Sequence, residues 1–331
     1  MSDLRLTFAT SDILHLHDLI HETIRPKGID LTFLIMGIEE NNDRFTHFHE
    51  WEVSELSFGN YCASLCQEPP PAIALPVFTS RAFRHSAIYI NEKSKIRTPA
   101  DLKGCRVGIP QWSQTATIYM RGYLSHDCGV PLESVDWVQA GINEPGRRET
   151  AQFTLPSGIR LSSRPDRALG EMLAKGDLDA VICARPPDMF RDKSRGLRRL
   201  FPDFRDEEQR YWKNTGIFPI LHIVGIRRDA YEANRWIARS LFEALEESKR
   251  AAVSRIADRG YAFVPSAWAQ QEIEREYDLL YGTGEPWPYG VEPNRKTLEA
   301  FVTYCHEQGV TSRRLSVDEL FPKELNLQIR I

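Results

Sequence analysis

Three observations predict a two-lobed α/β fold with a cleft between the lobes. The chain has 331 residues, more than one hydrophobic core usually holds. Strand-like and helix-like segments alternate from the first residues. A second alternating series starts near Thr98 and is followed, after a charged stretch, by an apolar return strand.

The elements follow in order. Leu4 to Ala9 reads as a strand. Asp12 to Thr23 has helical character, with Ser11 or Asp12 as the N-cap. Ile29 to Met36 is a second strand, Glu39 to His49 a helix and Val53 to Phe58 a third strand. Ile73 to Phe78 and Ala87 to Ile90 complete the first series. The β-α-β-α-β order implies parallel strands with right-handed crossovers. Thr98 then caps a short helix with Pro99 at its first position, and Gly104 ends it. Cys105 to Ile109 is a strand, Ser113 to Asp127 an amphipathic helix and Val135 to Gln139 a strand. Asp166 to Lys175 is a helix and Leu178 to Ala184 an apolar strand. Arg185 to Asn214 is charged and irregular. Ile220 to Ile226 is the return strand. Helices at about Tyr231 to Asp258 and Ala267 to Tyr281, a turn-rich loop over Gly284 to Gly290, and a helix from Asn294 to Gln308 close the chain. The expected division is an outer lobe of residues 1–95 and 215–331, with 96–214 inserted as the second lobe.

Ligands of open parallel sheets bind beyond the carboxyl ends of the strands. This places Thr10 and Ser11, Ser57 to Asn60, Ser80 to His85, Gln111 to Thr115 and Arg185 at the cleft. Ser113 either caps its helix or offers that helix's free N–H groups to an anion. Arg185 either faces the cleft or makes a structural salt bridge.

Composition excludes several classes. The net charge is −4, from 42 basic and 46 acidic residues, which gives no support to nucleic-acid binding. The basic stretch Arg191 to Arg199 is ringed by acids and reads as a solvated face. No segment is apolar and long enough to span a bilayer. The N-terminal residues lack the pattern of a secretion signal, so a cytoplasmic protein is expected. Six dispersed cysteines read as thiols in a reducing compartment. Cys62 and Cys66 have no second pair beside them to suggest zinc. His17 and His21 lack the glutamate of the zinc-protease motif, and His15, His17 and His21 read as packing or helix-surface residues. His47 and His49 read as surface. Nucleotide-binding loops and the Gly-x-Ser-x-Gly elbow are absent.

The run Pro76 to Asn91 is the most informative segment. Arg81 and His85 are four apart and share a face in either a strand or a helical turn. Arg84 joins them if the chain bends. A guanidinium can clamp a carboxylate with two hydrogen bonds, and an imidazole moves protons near neutrality. The alternative is a solvated basic bend.

That run, the N-terminal Leu-Thr-Phe-Ala-Thr-Ser-Asp, and Trp287-Pro288-Tyr289-Gly290-Val291-Glu292-Pro293-Asn294-Arg295-Lys296-Thr297-Leu298 together resemble the 4,5-dihydroxyphthalate decarboxylase family. The resemblance implies a cytoplasmic relative of the type-II periplasmic binding proteins. It also implies a carboxy-lyase of phthalate breakdown with no organic cofactor, a small aromatic dicarboxylate as ligand, and a homo-oligomer without nucleic-acid or membrane partners; no metal-ligating residue is assigned, and the sequence does not fix metal dependence. In that chemistry Arg81 and Arg84 hold the carboxylates and His85 transfers a proton, so Arg81→Ala or Arg84→Ala should damage turnover far more than stability. Ser11, Ser57, Ser80, Gln111, Ser113, Thr115, Arg185 and His222 are the expected substrate contacts. Tyr289 either closes the cleft or packs in the core. A decarboxylase of another hydroxylated aromatic acid and a non-catalytic carboxylate-binding protein are the alternatives.

Overall fold

A computed structural model describes residues 3–192, 196–258, 260 and 263–326. Residues 193–195 of the basic stretch, and Met1 and Ser2 of the N-terminal segment, lie outside them. Among the described residues, eleven strands form two sheets. In the first sheet, β1 (Leu4–Thr10), β2 (Ile29–Ile35), β3 (Val53–Ser57), β4 (Ala72–Arg81) and β11 (Ile220–Arg227) lie in the order β2-β1-β3-β11-β4. β1 is parallel to β2 and β3, whereas β11 runs antiparallel between β3 and β4. The second sheet holds β5 (Ile88–Asn91), β6 (Arg106–Ile109), β7 (Asp136–Gly141), β8 (Arg160–Ala168), β9 (Ala180–Ile182) and β10 (Leu197–Arg199). Its order is β10-β5-β9-β6-β7-β8. β5, expected in the outer lobe, pairs with β9 and β10. The chain therefore crosses between lobes over residues 82–87, earlier than the sequence suggests.

The helices are α1 (His17–Ile20), α2 (Ile38–Phe48), α3 (Phe58–Ser64), α4 (Thr115–His126), α5 (Leu169–Lys175), α6 (Asp188–Arg191), α7 (Phe204–Thr215), α8 (Arg228–Ala233), α9 (Trp236–Ala257), α10 (Ala269–Leu280), α11 (Arg295–Glu307) and α12 (Lys323–Asn326). The helix expected over Asp12 to Thr23 shrinks to a 3₁₀ turn and α1, whose N-cap positions fall on Ile13 and Leu16, residues with no side-chain oxygen to cap them. The Ser11 N–H donates to Glu55 and the Asp12 carboxylate is paired with His17. Thr98 and Asp101 do form a capping box around Pro99–Leu102. β8 replaces the first part of the helix expected at Asp166. It is an exposed, polar edge strand containing Pro165, so it carries no apolar alternation, and pairing with β7 alone makes it a strand. The segment read as irregular contains α6, β10 and the amphipathic α7, which presents Tyr211 to the core.

One core cluster runs through both lobes and includes Phe8, Val53 and Ile223 of the first sheet with Val107, Ile109 and Trp137 of the second. Helix α4 joins them. It follows β6 in the second lobe, yet it packs on α3 and α11 of the first. Its buried Arg121 donates to Gln308 at 2.8 Å and stacks on Trp112 at 3.8 Å. Gly59 permits the close approach of α3, since a Cβ there would sit 2.3 Å from the Ser113 carbonyl oxygen.

The late Trp-Pro-Tyr-Gly motif is a strap across β4. Trp287 Nε1 donates to the Phe78 carbonyl at 2.8 Å, and the Gly290 N–H donates to Pro76 at 2.8 Å. Asn294 Nδ2 donates to the carbonyls of Pro288 and Gly290, both at 2.9 Å. Arg81 completes the strap, donating from Nη1 to Asn294 Oδ1 at 2.8 Å and from Nη2 to the Phe218 carbonyl at 2.9 Å. Its guanidinium lies 4.4 Å from the Phe218 ring centroid. Tyr289 is buried against Phe78 and is a packing residue.

Arg81 is thus a buried tie between two chain segments. Removing it strands Asn294 and a carbonyl in the core, at a cost of about 2–4 kcal/mol. Urea denaturation should therefore show Arg81→Ala strongly destabilised, with Arg81→Lys intermediate because an ammonium lacks the fork. Wild-type stability in Arg81→Ala would contradict this assignment.

Candidate functional site

A cavity of about 920 Å³ opens between the lobes. Its walls come from residues at or just beyond the carboxyl ends of β3, β4, β6, β7 and β9, from α2, and from the start of β11. Of the expected site residues, Ser57, Arg84, Gln111, Thr115, Arg185 and His222 line it. Arg81, His85, Ser11, Ser80 and Ser113 do not.

His85 is sealed away. It is 2% exposed, packed among Tyr123, Tyr211, Phe201 and Phe83, and neither ring nitrogen has a hydrogen-bond partner. Its Nδ1 lies 4.0 Å from Glu208. Arg81 and His85 are both buried, each among its own partners. Ser11 gives its N–H to Glu55 at 2.8 Å. Ser80 lies beside His222 in the β4–β11 pairing, outside the lining. Ser113 is buried, and its hydroxyl donates to Asn60 at 2.8 Å and to Glu149. Helix α4 consequently starts at Thr115, with Gln114 as an N-cap that makes no side-chain bond. The Glu149 carboxylate also accepts from the N–H groups of Trp112 at 2.6 Å and Ser113 at 3.3 Å. Two backbone N–H groups just ahead of the helix are therefore held by the protein's own carboxylate.

The floor is a polar seam between lobes. Ser57 and Thr115 hydroxyls are 2.9 Å apart, and the Gly59 N–H donates to Thr115 Oγ1 at 2.9 Å. Above it four arginines face the cavity, three of them from the second lobe. Arg84 is largely buried. Burial lowers its pKa, its Nη1 makes one long bond of 3.4 Å to the Ala184 carbonyl, and its Nε has no partner. Arg147 donates to Gln111 Oε1 at 2.9 Å, and burial lowers its pKa as well. Arg148 joins it, with its carbonyl accepting from Gln111 Nε2 at 2.7 Å. Arg185 stands at the mouth, 3.2 Å from Glu39. Glu39, Asp43 and Glu149 are the acidic groups of the wall. His47, read as surface, reaches the rim because Glu39, Asp43 and His47 fall at four-residue steps on one face of α2.

His222 is the imidazole inside the cavity proper. Its Nδ1 lies 2.7 Å from Glu55 Oε1. Glu55 is 1% exposed, and its other oxygen accepts from the Ser11 N–H. Thr10 and Thr79 hydroxyls approach it at 3.4 and 3.3 Å. Burial pushes its carboxyl pKa up, but the hydrogen bond and charge of His222 and the bonds from Ser11 outweigh burial and hold it at about 2. Glu55 and the Arg147–Thr150 loop went unread in the sequence. A glutamate inside an apolar strand, and a basic pair in an unassigned segment after a strand, were the available signals.

Among the described residues, no group of three or more His, Cys, Asp or Glu side chains is arranged to hold a metal ion, and no helix is long and apolar enough to cross a membrane.

The fold and cleft define a type-II periplasmic-binding-like protein. A periplasmic sulfonate-binding protein from Methylobacillus flagellatus superposes with TM-score 0.55 at 14% identity, covering 99% of this chain and 97% of that one. The aliphatic sulphonate binding protein of Escherichia coli gives 0.52 at 13%, covering 97% and 92%. The desulfurization enzyme DszB gives 0.51 at 17%, covering 98% of each. No family model matches the chain. The 4,5-dihydroxyphthalate decarboxylase of Comamonas testosteroni is 32% identical over 323 residues, 97% of both chains. That of Pseudomonas putida is 35% identical over 204 residues, 61% of this chain and 79% of the relative. The chain belongs to the 4,5-dihydroxyphthalate decarboxylase family.

The sealed His85 gives a pH prediction. Burial lowers its pKa from 6.5 to about 4. Between those values the unfolded chain binds a proton that the folded chain refuses, so native stability falls as pH drops from 6.5 through about 4. In His85→Phe, thermal melts should lose that component, about 3 kcal/mol, while turnover persists. A turnover collapse with an unchanged melt would instead restore His85 to the chemistry.

Proposed function

We propose that this protein converts 4,5-dihydroxyphthalate to 3,4-dihydroxybenzoate and carbon dioxide. The observation that carries the reading is full-length similarity to a 4,5-dihydroxyphthalate decarboxylase, at 32% identity over 97% of the chain. The arginine-walled cleft supports it.

The chemistry fits the residues. Each carboxylate of the substrate has a hydroxyl para to it, which pushes electron density onto the carbon bearing that carboxylate. Protonation of that carbon interrupts the aromatic ring, and loss of carbon dioxide restores it. The two adjacent carboxylates crowd each other out of the ring plane, which aligns the breaking bond with the π system. Fixed cations are needed to hold that twist. Arg84, with unused donor capacity and little water around it, takes one carboxylate, and Arg147 or Arg148 takes the other. Ser57, Asn42 and Asn60 offer hydrogen-bond groups for the ring hydroxyls. Arg81 has no part in the grip, since its donors are committed elsewhere. The product keeps one carboxylate para to a hydroxyl, so recognition of the second carboxylate limits each substrate molecule to a single decarboxylation. The reading also takes the protein to act in phthalate breakdown in the cytoplasm, as a homo-oligomer.

The test is to incubate the protein with 4,5-dihydroxyphthalate, with and without chelator, and to follow both products by chromatography. Turnover insensitive to chelator is expected. Arg84→Gln should lower kcat/KM by about 10²–10³-fold with the melting temperature retained. Aromatic diacids that stabilise the protein without being turned over would favour a binding protein.

A further inference from the structure

The wall of the cleft contains a group whose geometry serves proton delivery. Two other imidazoles are excluded by position. His85 is sealed in an aromatic cage, and His15 is buried behind Glu55 against Trp287 and Tyr289 with its Nε2 unpartnered. His47 stands at the rim, its Nε2 3.5 Å from Asp43 and open to solvent. His222 alone combines a place in the cavity with a fixed orientation. Among the described residues, its Nε2 has no protein partner, while Nδ1 is committed to Glu55.

Glu55 is an unusual residue to find there. It stands in a buried strand, in the middle of the first sheet, where an isolated charge is costly. Contacts from the end of β1, from β4 and from β11 converge on it. Bonds from Ser11 and Thr10 satisfy one oxygen, and Thr79 shares the other with His222. A carboxylate so placed accepts from Nδ1–H, which makes Nε2 the nitrogen that gains and gives the exchangeable proton.

We propose that Glu55 and His222 form the proton-delivering pair of this cleft, with Glu55 fixing Nδ1–H and His222 Nε2 carrying the proton to the ring carbon. The pair rests on the decarboxylase reading above. In the step, the Nε2–H bond breaks and a C–H bond forms at the carbon bearing the carboxylate. The bond from that carbon to the carboxylate then breaks, its electron pair closes the aromatic ring, and carbon dioxide leaves. The neutral imidazole takes one proton from solvent, so each turnover consumes one. His222 is the catalytic residue and Glu55 its positioning residue. The buried carboxylate also sets a negative charge beside the imidazole in a cleft whose wall carries Arg84, Arg147, Arg148 and Arg185.

The experiment compares wild type with His222→Gln, Glu55→Gln and Glu55→Asp. It measures steady-state kinetics on 4,5-dihydroxyphthalate across pH, product binding by calorimetry, thermal melts, and histidine ring nitrogens by ¹⁵N NMR. His222→Gln should lose about 10²–10⁴-fold in kcat, with product affinity and melting temperature near wild type. Glu55→Gln should lose kcat more than KM. Glu55→Asp should recover part of the rate. In wild type His222 should show the Nδ1–H tautomer when neutral, and Glu55→Gln should mix the tautomers. Wild-type turnover together with a His222→Gln variant within tenfold of it overturns the pair alone. An Nε2–H tautomer in wild type does the same. Wild-type protein that turns over no substrate overturns the decarboxylase reading and the pair together.

Discussion

A single buried carboxylate organises the cleft. Glu55 sits at the centre of the first sheet, and an ionised group there is tolerable only if it is fully hydrogen-bonded. Those bonds come from the end of β1, from β4 and from β11. Meeting its demand pins together strands that are distant in sequence. The same region is reinforced by Asn41, whose amide donates to the carbonyls of Ala9 and Glu55 at 3.0 and 3.1 Å. The strand ends that frame the cavity are therefore held by polar bonds, while the layers behind them are held by apolar packing.

Neighbouring residues of one basic run have opposite fates. Arg81 ends β4 and turns inward to Asn294, whereas Arg84 lies beyond the strand, where the chain crosses between lobes, and faces the cavity. Spacing grouped Arg81 with His85 and set Arg84 apart. It could not say which face was buried, since a strand end and a bend have the same residue types on either side. The resemblance to the family rests partly on residues that fix the fold: the Trp287 to Asn294 strap and Arg81 bind one another. Such motifs mark descent well and mark chemistry poorly.

Much of the architecture was legible because the central strands are apolar. Val53 to Leu56, Val107 to Ile109 and most of Ile220 to Ile226 are buried, and each strand reads from its side chains. β8 and α7 were not legible. One is a polar edge strand made by its neighbour, and the other is a charged helix that commits little apolar surface to the core. The boundary between lobes was misplaced because β5 looks the same whichever sheet it joins. The positions beyond strand ends include Ser57, Gln111, Thr115 and Arg185, which line the cavity. Glu55 escaped because a glutamate in a strand carries no periodic signature, and its meaning depends on partners brought by folding.

The place of β11 has a consequence for how the chain is made. It fills the slot between β3 and β4, but the ribosome delivers it only after the whole second sheet has emerged. Until then, the nascent first sheet has two open edges facing an empty gap, a condition that invites wrong pairing. Any fragment ending before Ile220 keeps those edges open permanently. The strand that shuts the gap also brings His222, so the chain gains its cavity imidazole in the same event that removes its last unpaired inner edges.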